Sequence, residues 1–237
     1  MKLYNNIIND VLLSIEEKDL KNIPYDSTSN WKKNDDYELL FKKDTKVELG
    51  ASPYKSVQMN FVTSNDEYFD NDEILLIGKD IPKIDKKSNY ARIALLRVDD
   101  MPDNDEAMYK EIKNLEFVKY NMFLDGVMMR ASALDKSEQI RISNKASDNN
   151  FNFSTLGSEF INRFKENPLV KNVKMIFITD NDVDMKYLIE KSEKSDEITR
   201  ALNTVLHGMN FDCQSCNLKP ICDEVEGMRE LHFSKKK

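Results

Sequence analysis

The last part of the chain contains all three of its cysteines and one of its two histidines. They follow the spacing Cys213-x2-Cys216-x5-Cys222-x9-His232 within residues 211–233. A C-x-x-C pair lets two thiolates reach one metal from a tight turn, a geometry shared by zinc and iron–sulfur sites. Cys222 supplies a third thiolate after a short loop. The spacing therefore predicts a metal-binding segment over residues 211–233.

Spacing alone leaves the identity of the metal open. A Cys3His set satisfies the four-ligand rule of structural zinc, whereas C-x2-C-x5-C also occurs in iron–sulfur modules. A redox pair formed by Cys213 and Cys216, or thiols without a metal, are further alternatives. Ligation by His232 carries a geometric condition, because ten residues of continuous helix would place it ~15 Å from Cys222. A break in that helix is then required, and Gly227 is the position that favours one.

Other candidate sites fail on their own residues. Asp180, Asp182 and Asp184 have the alternate spacing that begins an EF-hand loop, but Met185 stands where glycine is needed and Lys191 where glutamate is needed. We interpret these aspartates as the cap of a helix that begins near Asp182. The sequence contains neither G-x-S-x-G nor a glycine-rich phosphate loop, which argues against a Ser-His-Asp hydrolase and a nucleotide-phosphate site.

Composition narrows the functional classes further. The chain has 237 residues, with 35 basic and 42 acidic side chains and a net charge of −7, which argues against nucleic-acid binding. Three cysteines at one end form no disulfide framework, so we expect a reducing, cytoplasmic location. No apolar run approaches the ~20 residues that span a bilayer, so we expect no membrane insertion.

Hydrophobic periodicity predicts the elements that must position the cysteine segment. Apolar residues at helical spacing predict an amphipathic helix within residues 1–18, and a polar loop follows over 23–36. We predict strands at 37–43, 46–50, 57–62, 73–78, 90–98 and 170–180, and a strand pair at 125–131 and 138–143. We predict helices at 105–119, at 153–168 with Ser154 as N-cap, from Asp182 to 194, and at 196–209.

These elements indicate an α/β fold, with α+β as the alternative. We expect mixed sheets covered by helices, arranged as two packed subdomains that end in the cysteine-rich metal segment. The predicted divisions are an N-terminal helix and loop at 1–34, a β-rich subdomain at 35–100, and an α/β subdomain at 101–237. No Pro/Gly-rich linker marks the boundary near residue 100.

Several stretches in order resemble acetyl-CoA synthase, the β subunit of the CO dehydrogenase/acetyl-CoA synthase complex of anaerobes. "KVELG" (46–50) is similar to that family's "VELGG", and "EILLIGKDI" (73–81) to its "V-x-V-I-G-P-D-I" segment. "NMFLDGVMMRASALDKSEQIRISNKA" (121–146) resembles "N-x-x-E-G-V-M-H…I-R-I-S-K-x-A". "LGSEFINRFKENPLVKNVKMIFITD" (156–180) resembles "L-G-E-x-L-x-x-x-F…V-x-K-V-Q-V-T-I-x-T-D", and the cysteine segment comes next in both.

The resemblance implies a role for each cysteine. In the family, C-x2-C-x8-C-x9-C holds a 4Fe–4S cluster that is bridged to a two-nickel centre. Cys213, Cys216 and Cys222 match the first three ligands, with a shorter middle loop, and His232 falls on the fourth with the x9 spacing kept. The Cys-Gly-Cys nickel motif and the N-terminal docking domain are not found here, so the resemblance is to a truncated C-terminal half and nickel is not expected.

The functional hypothesis that follows is a 4Fe–4S protein of anaerobic one-carbon and acetyl-CoA metabolism. It would act in electron transfer or with a corrinoid or other metal-bearing partner. Two alternatives remain open: an interaction module with a structural Cys3His zinc site, and an acetyl-CoA synthase-like transferase completed by a partner chain.

Overall fold

The computed structural model describes residues 2–99, 105–132 and 136–206, and Pro220 alone. The helices in these ranges are α1 (Asn5–Ile15), α2 (Asp105–Phe117), α3 (Asn144–Asp148), α4 (Phe153–Lys165) and α5 (Met185–Leu206). The strands are β1 (Leu20–Ile23), β2 (Thr45–Leu49), β3 (Ser56–Thr63), β4 (Glu73–Ile77), β5 (Lys87–Ser88), β6 (Tyr90–Val98), β7 (Val127–Ala131), β8 (Glu138–Ser143) and β9 (Val170–Ile178). Short 3-10 helices lie at Lys42–Asp44, Asp66–Tyr68, Ile81–Lys83 and Val118–Asn121.

The larger sheet has five strands in the order β1-β4-β9-β6-β3. The pairs β4–β9 and β3–β6 are parallel, whereas β1–β4 and β6–β9 are antiparallel. Strand β6 pairs along its length on both sides, and its sequence YARIALLRV has a buried residue at every position except Arg97. A strand covered on both faces needs such a continuous apolar run, which explains why the predicted strand at 90–98 is confirmed.

The smaller sheet has four strands in the order β5-β2-β8-β7. Strands β7 and β8 form the predicted antiparallel pair, and β2 pairs with β8 in the antiparallel direction and with β5 in the parallel one. Each sheet combines strands that precede residue 100 with strands that follow it. Residues before and after position 100 are therefore hydrogen-bonded to each other in both sheets. The division into subdomains stays a prediction.

Helices cover both faces of the larger sheet. Ile74 and Leu75 are consecutive in β4, so their side chains point to opposite faces. Helix α4 lies on the Ile74 face, where Gly157 is so close that a Cβ atom there would lie 2.8 Å from Ile74 Cδ1. Helix α1 lies on the Leu75 face, where its residues line a cavity together with Leu75 and Ile176. Mixed sheets covered by helices confirm the predicted α/β architecture.

One predicted strand is wrong. Residues 37–41 of the stretch "YELLFKK" pair with no strand among the described residues, and a 3-10 helix begins at Lys42. Leu40 is buried, but the other apolar side chains of the stretch remain open to solvent: Tyr37 at 44%, Leu39 at 64% and Phe41 at 61% exposure. Alternating apolar residues form a strand where a sheet covers them, and no sheet of the described residues covers this stretch.

Two helix predictions need correction. The N-cap of α4 is Asn152, whose side chain accepts a hydrogen bond from the Thr155 amide, and not Ser154. The two helices predicted from Asp182 and over 196–209 are one continuous helix, α5, since no glycine or proline interrupts residues 185–206. Asp184 caps its start by accepting from the amides of Lys186 and Tyr187. No helix in the described ranges is both long and apolar enough to cross a bilayer.

Candidate functional site

The predicted metal ligands Cys213, Cys216, Cys222 and His232 lie outside the described residues. Within the ranges that the structure describes, no group of three or more His, Cys, Asp or Glu side chains is arranged to hold a metal ion. The described element that leads toward the cysteine segment is α5, which ends at Leu206.

Helix α5 is fixed to the body of the protein by polar contacts at successive turns. Ser192 donates to the Gln58 carbonyl of β3 at 3.3 Å, and Asp196 forms an ion pair with Lys136 at 2.9 Å. One turn further, the Thr199 hydroxyl lies 2.8 Å from the hydroxyl of Tyr4. Burial raises the pKa of Tyr4, and the hydrogen bond to Thr199 opposes this only in part. The helix that precedes the cysteine segment is therefore firmly docked.

A buried ion pair joins the two sheets. Arg92 in β6 and Glu138 in β8 are both completely inaccessible to solvent. Arg92 donates through Nε to Glu138 Oε1 and through Nη2 to Glu138 Oε2, each at 2.8 Å, in a bidentate arrangement. The Tyr90 hydroxyl lies 3.1 Å from Glu138 Oε1. Such pairs hold charge in a dry interior when their remaining donors and acceptors are also satisfied.

The rest of the guanidinium is also occupied. Arg92 donates to Asn60 Oδ1 at 2.9 Å and to Gln58 Oε1 at 3.4 Å, and its Cζ lies 4.6 Å from the centre of the Phe160 ring. Both amide oxygens face Arg92, which leaves Gln58 Nε2 and Asn60 Nδ2 buried without a partner among the described residues. Burial opposes the charge on Arg92, but Glu138 outweighs it and raises the pKa of the guanidinium.

A cavity of about 490 Å³ adjoins this pair. Its lining comes from α2, from the 3-10 helix that follows it, from β7, from the residues just before β8 and from α5: Lys113, Glu116, Phe117, Lys119, Tyr120, Ala131, Lys136 and Asp196. Three lysines and two carboxylates therefore face one small volume. Phe117 and Tyr120 provide an aromatic wall, with ring centres 5.7 Å apart.

Most charges around this cavity are paired. Glu116 accepts from Lys113 at 2.7 Å and lies 3.9 Å from the Lys136 amine, while Lys136 also pairs with Asp196. Burial is the largest influence on Lys113 and opposes its charge, but the hydrogen bond and the charge of Glu116, with Tyr109 and Asp196, together outweigh burial and raise the pKa of the amine. Lys136 is 9% exposed and has a φ of 50°, a left-handed conformation that side chains other than glycine rarely adopt.

Lys119 is the exception among the described lysines of this cavity. It is 6% exposed, and no hydrogen-bond acceptor or carboxylate of the described chain pairs with its amine. The Tyr120 ring lies beside it, with its centre 5.1 Å from the amine. Burial, together with the positive charges of Arg92 and Lys136, lowers the pKa of Lys119 to about 8. The site thus holds a desolvated amine that can bind an anion or exchange a proton near neutral pH.

The sequence analysis did not predict this cluster of charged residues, although one residue in the sequence indicated a buried charge. Arg92 stands in the middle of an apolar strand that is covered on both faces, where a charged residue must have a buried partner. Nothing local marked Glu138 as that partner, because the two residues meet only when the sheets pack together. Lys119 ends a predicted amphipathic helix and has no local feature that indicates burial.

The stretches that resemble the acetyl-CoA synthase family form one connected part of this body. "KVELG" covers most of β2, and "EILLIGKDI" covers β4 and the turn after it. Residues 121–146 contain β7, β8 and the start of α3, and 156–180 contain most of α4 and all of β9. Strands β4 and β9 are neighbours in one sheet, and β2, β8 and β7 are neighbours in the other. The family-like residues therefore contribute neighbouring strands to both sheets and most of the helix that packs on the larger one.

Comparison with known proteins assigns the chain to a family. None of the curated proteins matches it. The model of the family described as CO dehydrogenase/acetyl-CoA synthase complex beta subunit matches residues 35–183, which is more than half of the 237-residue chain. The match ends at the start of α5 and includes both sheets except β1, together with Arg92, Lys119 and Glu138. The chain belongs to the family of the β subunit of the CO dehydrogenase/acetyl-CoA synthase complex.

Proposed function

We propose that this protein is an iron–sulfur member of its family that works in anaerobic one-carbon and acetyl-CoA metabolism. It would transfer electrons or act together with a corrinoid protein or another metal-bearing partner. The observation that supports this most is the family match over 35–183, followed in the chain by the pattern Cys213-x2-Cys216-x5-Cys222-x9-His232. We place the protein in a reducing, cytoplasmic compartment, where thiols remain available as ligands.

The donor set fits a 4Fe–4S cluster. Three thiolates and one imidazole provide four ligands, and clusters with histidine in place of cysteine are known chemistry. A bound cluster supplies one-electron redox chemistry. In this chain Cys213, Cys216 and Cys222 would each hold the cluster as thiolates, and His232 would be the fourth ligand. Replacing a thiolate by a neutral imidazole removes one negative charge, so we expect a raised reduction potential.

The same donor set also fits structural zinc, which is the alternative for this segment. Zinc would fix the segment to the body without redox chemistry and would make the protein an interaction module. A further alternative is a transferase in which a partner chain supplies the ligands of the Cys-Gly-Cys motif. We expect no nickel on this chain alone, because no Cys-Gly-Cys occurs in its sequence.

Metal analysis tests the proposal. Protein purified without oxygen should contain about four iron and four acid-labile sulfide per chain and absorb in the visible range. Cys216→Ser should lose the iron and the colour, whereas Ser215→Ala, a change at the neighbouring residue, should retain both. One zinc per chain in a colourless protein would contradict the cluster.

The role of His232 has its own test. His232→Cys restores a fourth thiolate and should lower the reduction potential while the iron content stays the same. His232→Ala should loosen or open the cluster. An unchanged potential in His232→Cys would exclude His232 as a ligand while leaving the three cysteines in place.

A further inference from the structure

The cavity beside the buried ion pair has an electrostatic imbalance that the described side chains do not remove. Its wall carries three lysines and two carboxylates. Lys113 is hydrogen-bonded to Glu116, and Lys136 is paired with Asp196. Lys119 is left as the cation without a carboxylate among the described residues. One negative charge would complete the set.

Burial makes this imbalance costly. Lys119 is 94% buried, lines the cavity, and is flanked by the positive groups of Arg92 and Lys136. The charge of Glu138 is already balanced by the Arg92 guanidinium, from which both Glu138 oxygens accept hydrogen bonds. A buried ammonium group without a partner destabilises the fold, and the methyl group of a methionine would pack in its place at no such cost. A binding role accounts for a lysine at this position.

We propose that this cavity binds a small monocarboxylate, with the Lys119 amine as the group that contacts the carboxylate. The cavity of about 490 Å³ is larger than a carboxylate group alone requires, so the ligand carries further atoms. The aromatic wall of Phe117 and Tyr120 suits an apolar or planar remainder. This site stands on residues of the described body and is independent of the metal proposed for the cysteine segment.

A single negative charge fits better than two. Glu116 and Asp196 also face the cavity, and each would repel a dianion such as phosphate. Their own lysine partners already balance them, so the uncompensated charge of the site corresponds to one anionic group. Lys136 lines the same wall of the cavity, with a positive φ and an ion pair to Asp196. Its charge adds to the positive potential beside Lys119.

Ligand titration of the full chain, purified without oxygen, tests the assignment. Sodium benzoate and sodium butyrate are the carboxylate probes, sodium phosphate is the dianion probe, and sodium chloride at equal ionic strength is the reference. Calorimetry and melting temperature are measured for the wild type, Lys119→Met, Lys119→Arg and Lys110→Met. Lys110 is an exposed lysine on α2 and serves as the matched control.

We expect saturable binding of benzoate to the wild type and to Lys110→Met, and at least a tenfold loss of affinity in Lys119→Met. Lys119→Arg keeps the positive charge and should retain part of the binding. In the absence of ligand, Lys119→Met should melt at a higher temperature than the wild type, which shows that lost binding does not arise from unfolding. Absence of saturable binding, binding of phosphate alone, or equal affinity in Lys119→Met would each overturn the proposal.

Discussion

Two buried cations lie in the same part of this protein and have opposite surroundings. Arg92 has two bonds to Glu138, two amide oxygens within hydrogen-bond distance and an aromatic ring over its guanidinium. Lys119 is almost as buried, but the described chain offers its amine an aromatic ring and no carboxylate. Burial lowers the pKa of both cations, but Glu138 more than reverses this for Arg92. The pKa of Arg92 therefore rises, whereas that of Lys119 falls to about 8.

This difference between a paired and an unpaired cation indicates which of the two has a structural role and which a functional one. A charge with all its partners joins two sheets and fixes their relative position, and removing one partner is expensive because the other is left alone. A charge without partners contributes nothing to the fold and costs stability for as long as it is protonated. We infer that Arg92 serves the structure and that Lys119 serves a ligand.

The largest effect is expected where the paired cation loses its partner. Glu138→Gln removes the negative charge that balances Arg92, and both groups are fully inaccessible to solvent. We expect the free energy of unfolding to fall by about 3–5 kcal/mol, measured by urea denaturation at pH 7.

A double variant sharpens this test. Arg92→Met combined with Glu138→Leu removes both charges at once and should be more stable than Glu138→Gln alone, because no unpaired charge remains. A loss below about 1 kcal/mol in Glu138→Gln would mean that the pair does not hold the sheets together.

The second largest effect has the opposite sign. Lys119→Met removes a cation whose pKa in the fold is about 8, below the ordinary value of 10.5. At pH 7 the folded protein keeps this amine charged although burial disfavours the charge, so the variant should gain about 3 kcal/mol in the free energy of unfolding. Urea denaturation of both proteins at pH 7 measures the gain.

The pH dependence of the stability gain in Lys119→Met shows whether the gain comes from removing the charge. Between pH 8 and pH 10.5 the unfolded chain binds a proton at Lys119 that the folded protein has released, so wild-type stability rises with pH relative to the variant. The advantage of Lys119→Met should shrink to about 1 kcal/mol at pH 9.5. A constant advantage would assign it to packing, and a loss of stability at pH 7 would make Lys119 a structural residue.

A smaller effect comes from the ring over Arg92. Phe160→Leu removes the cation–π contact and some buried surface, so we expect a loss of about 1–2 kcal/mol in urea denaturation. Phe164→Leu is the matched control, since Phe164 is equally buried on α4 and stacks on Phe160 at 6.1 Å. The two variants should differ by about 1 kcal/mol, and equal losses would show that the ring acts by packing alone.

The smallest effect tests the surroundings of Lys119. The negative charge of Glu116 raises the pKa of Lys119 in opposition to burial. Glu116→Gln should therefore lower the pKa of Lys119 below about 8, with little change in overall stability because Glu116 is partly exposed. The titration of the lysine side chain by carbon-13 NMR measures this. Glu111→Gln, on the same helix, should leave the midpoint where it is.

The elements that were predicted correctly have in common that their own residues determine them. Strand β6 was predicted because nine consecutive residues fit a covered strand, and α4 because its apolar residues recur at helical spacing. The stretch 37–43 had the same local pattern as a strand, but three of its four apolar side chains are exposed, and it pairs with no strand of the described chain. Only the tertiary structure distinguishes these cases, since strand formation depends on the neighbouring strand.

The cavity could not be predicted from local sequence patterns for a similar reason. Its lining comes from α2, from the turn that holds Lys119, from Lys136 before β8 and from Asp196 in α5. These residues are far apart in sequence, and neither the burial of Lys119 nor its lack of a partner follows from the residues beside it. The metal-binding pattern in residues 211–233 could be proposed from sequence because its spacing lies within one short segment, and it stays a prediction.

The titration midpoint of Lys119 in the wild type tests the contrast between the two cations most directly. Carbon-13 labelling of the lysine side chains, with Lys119→Arg to assign the resonance, allows the pKa to be measured with and without benzoate. We predict a midpoint of about 8 in the free protein and a clear rise when the carboxylate occupies the cavity. A midpoint near 10.5 in the free protein, unaffected by benzoate, would contradict the account.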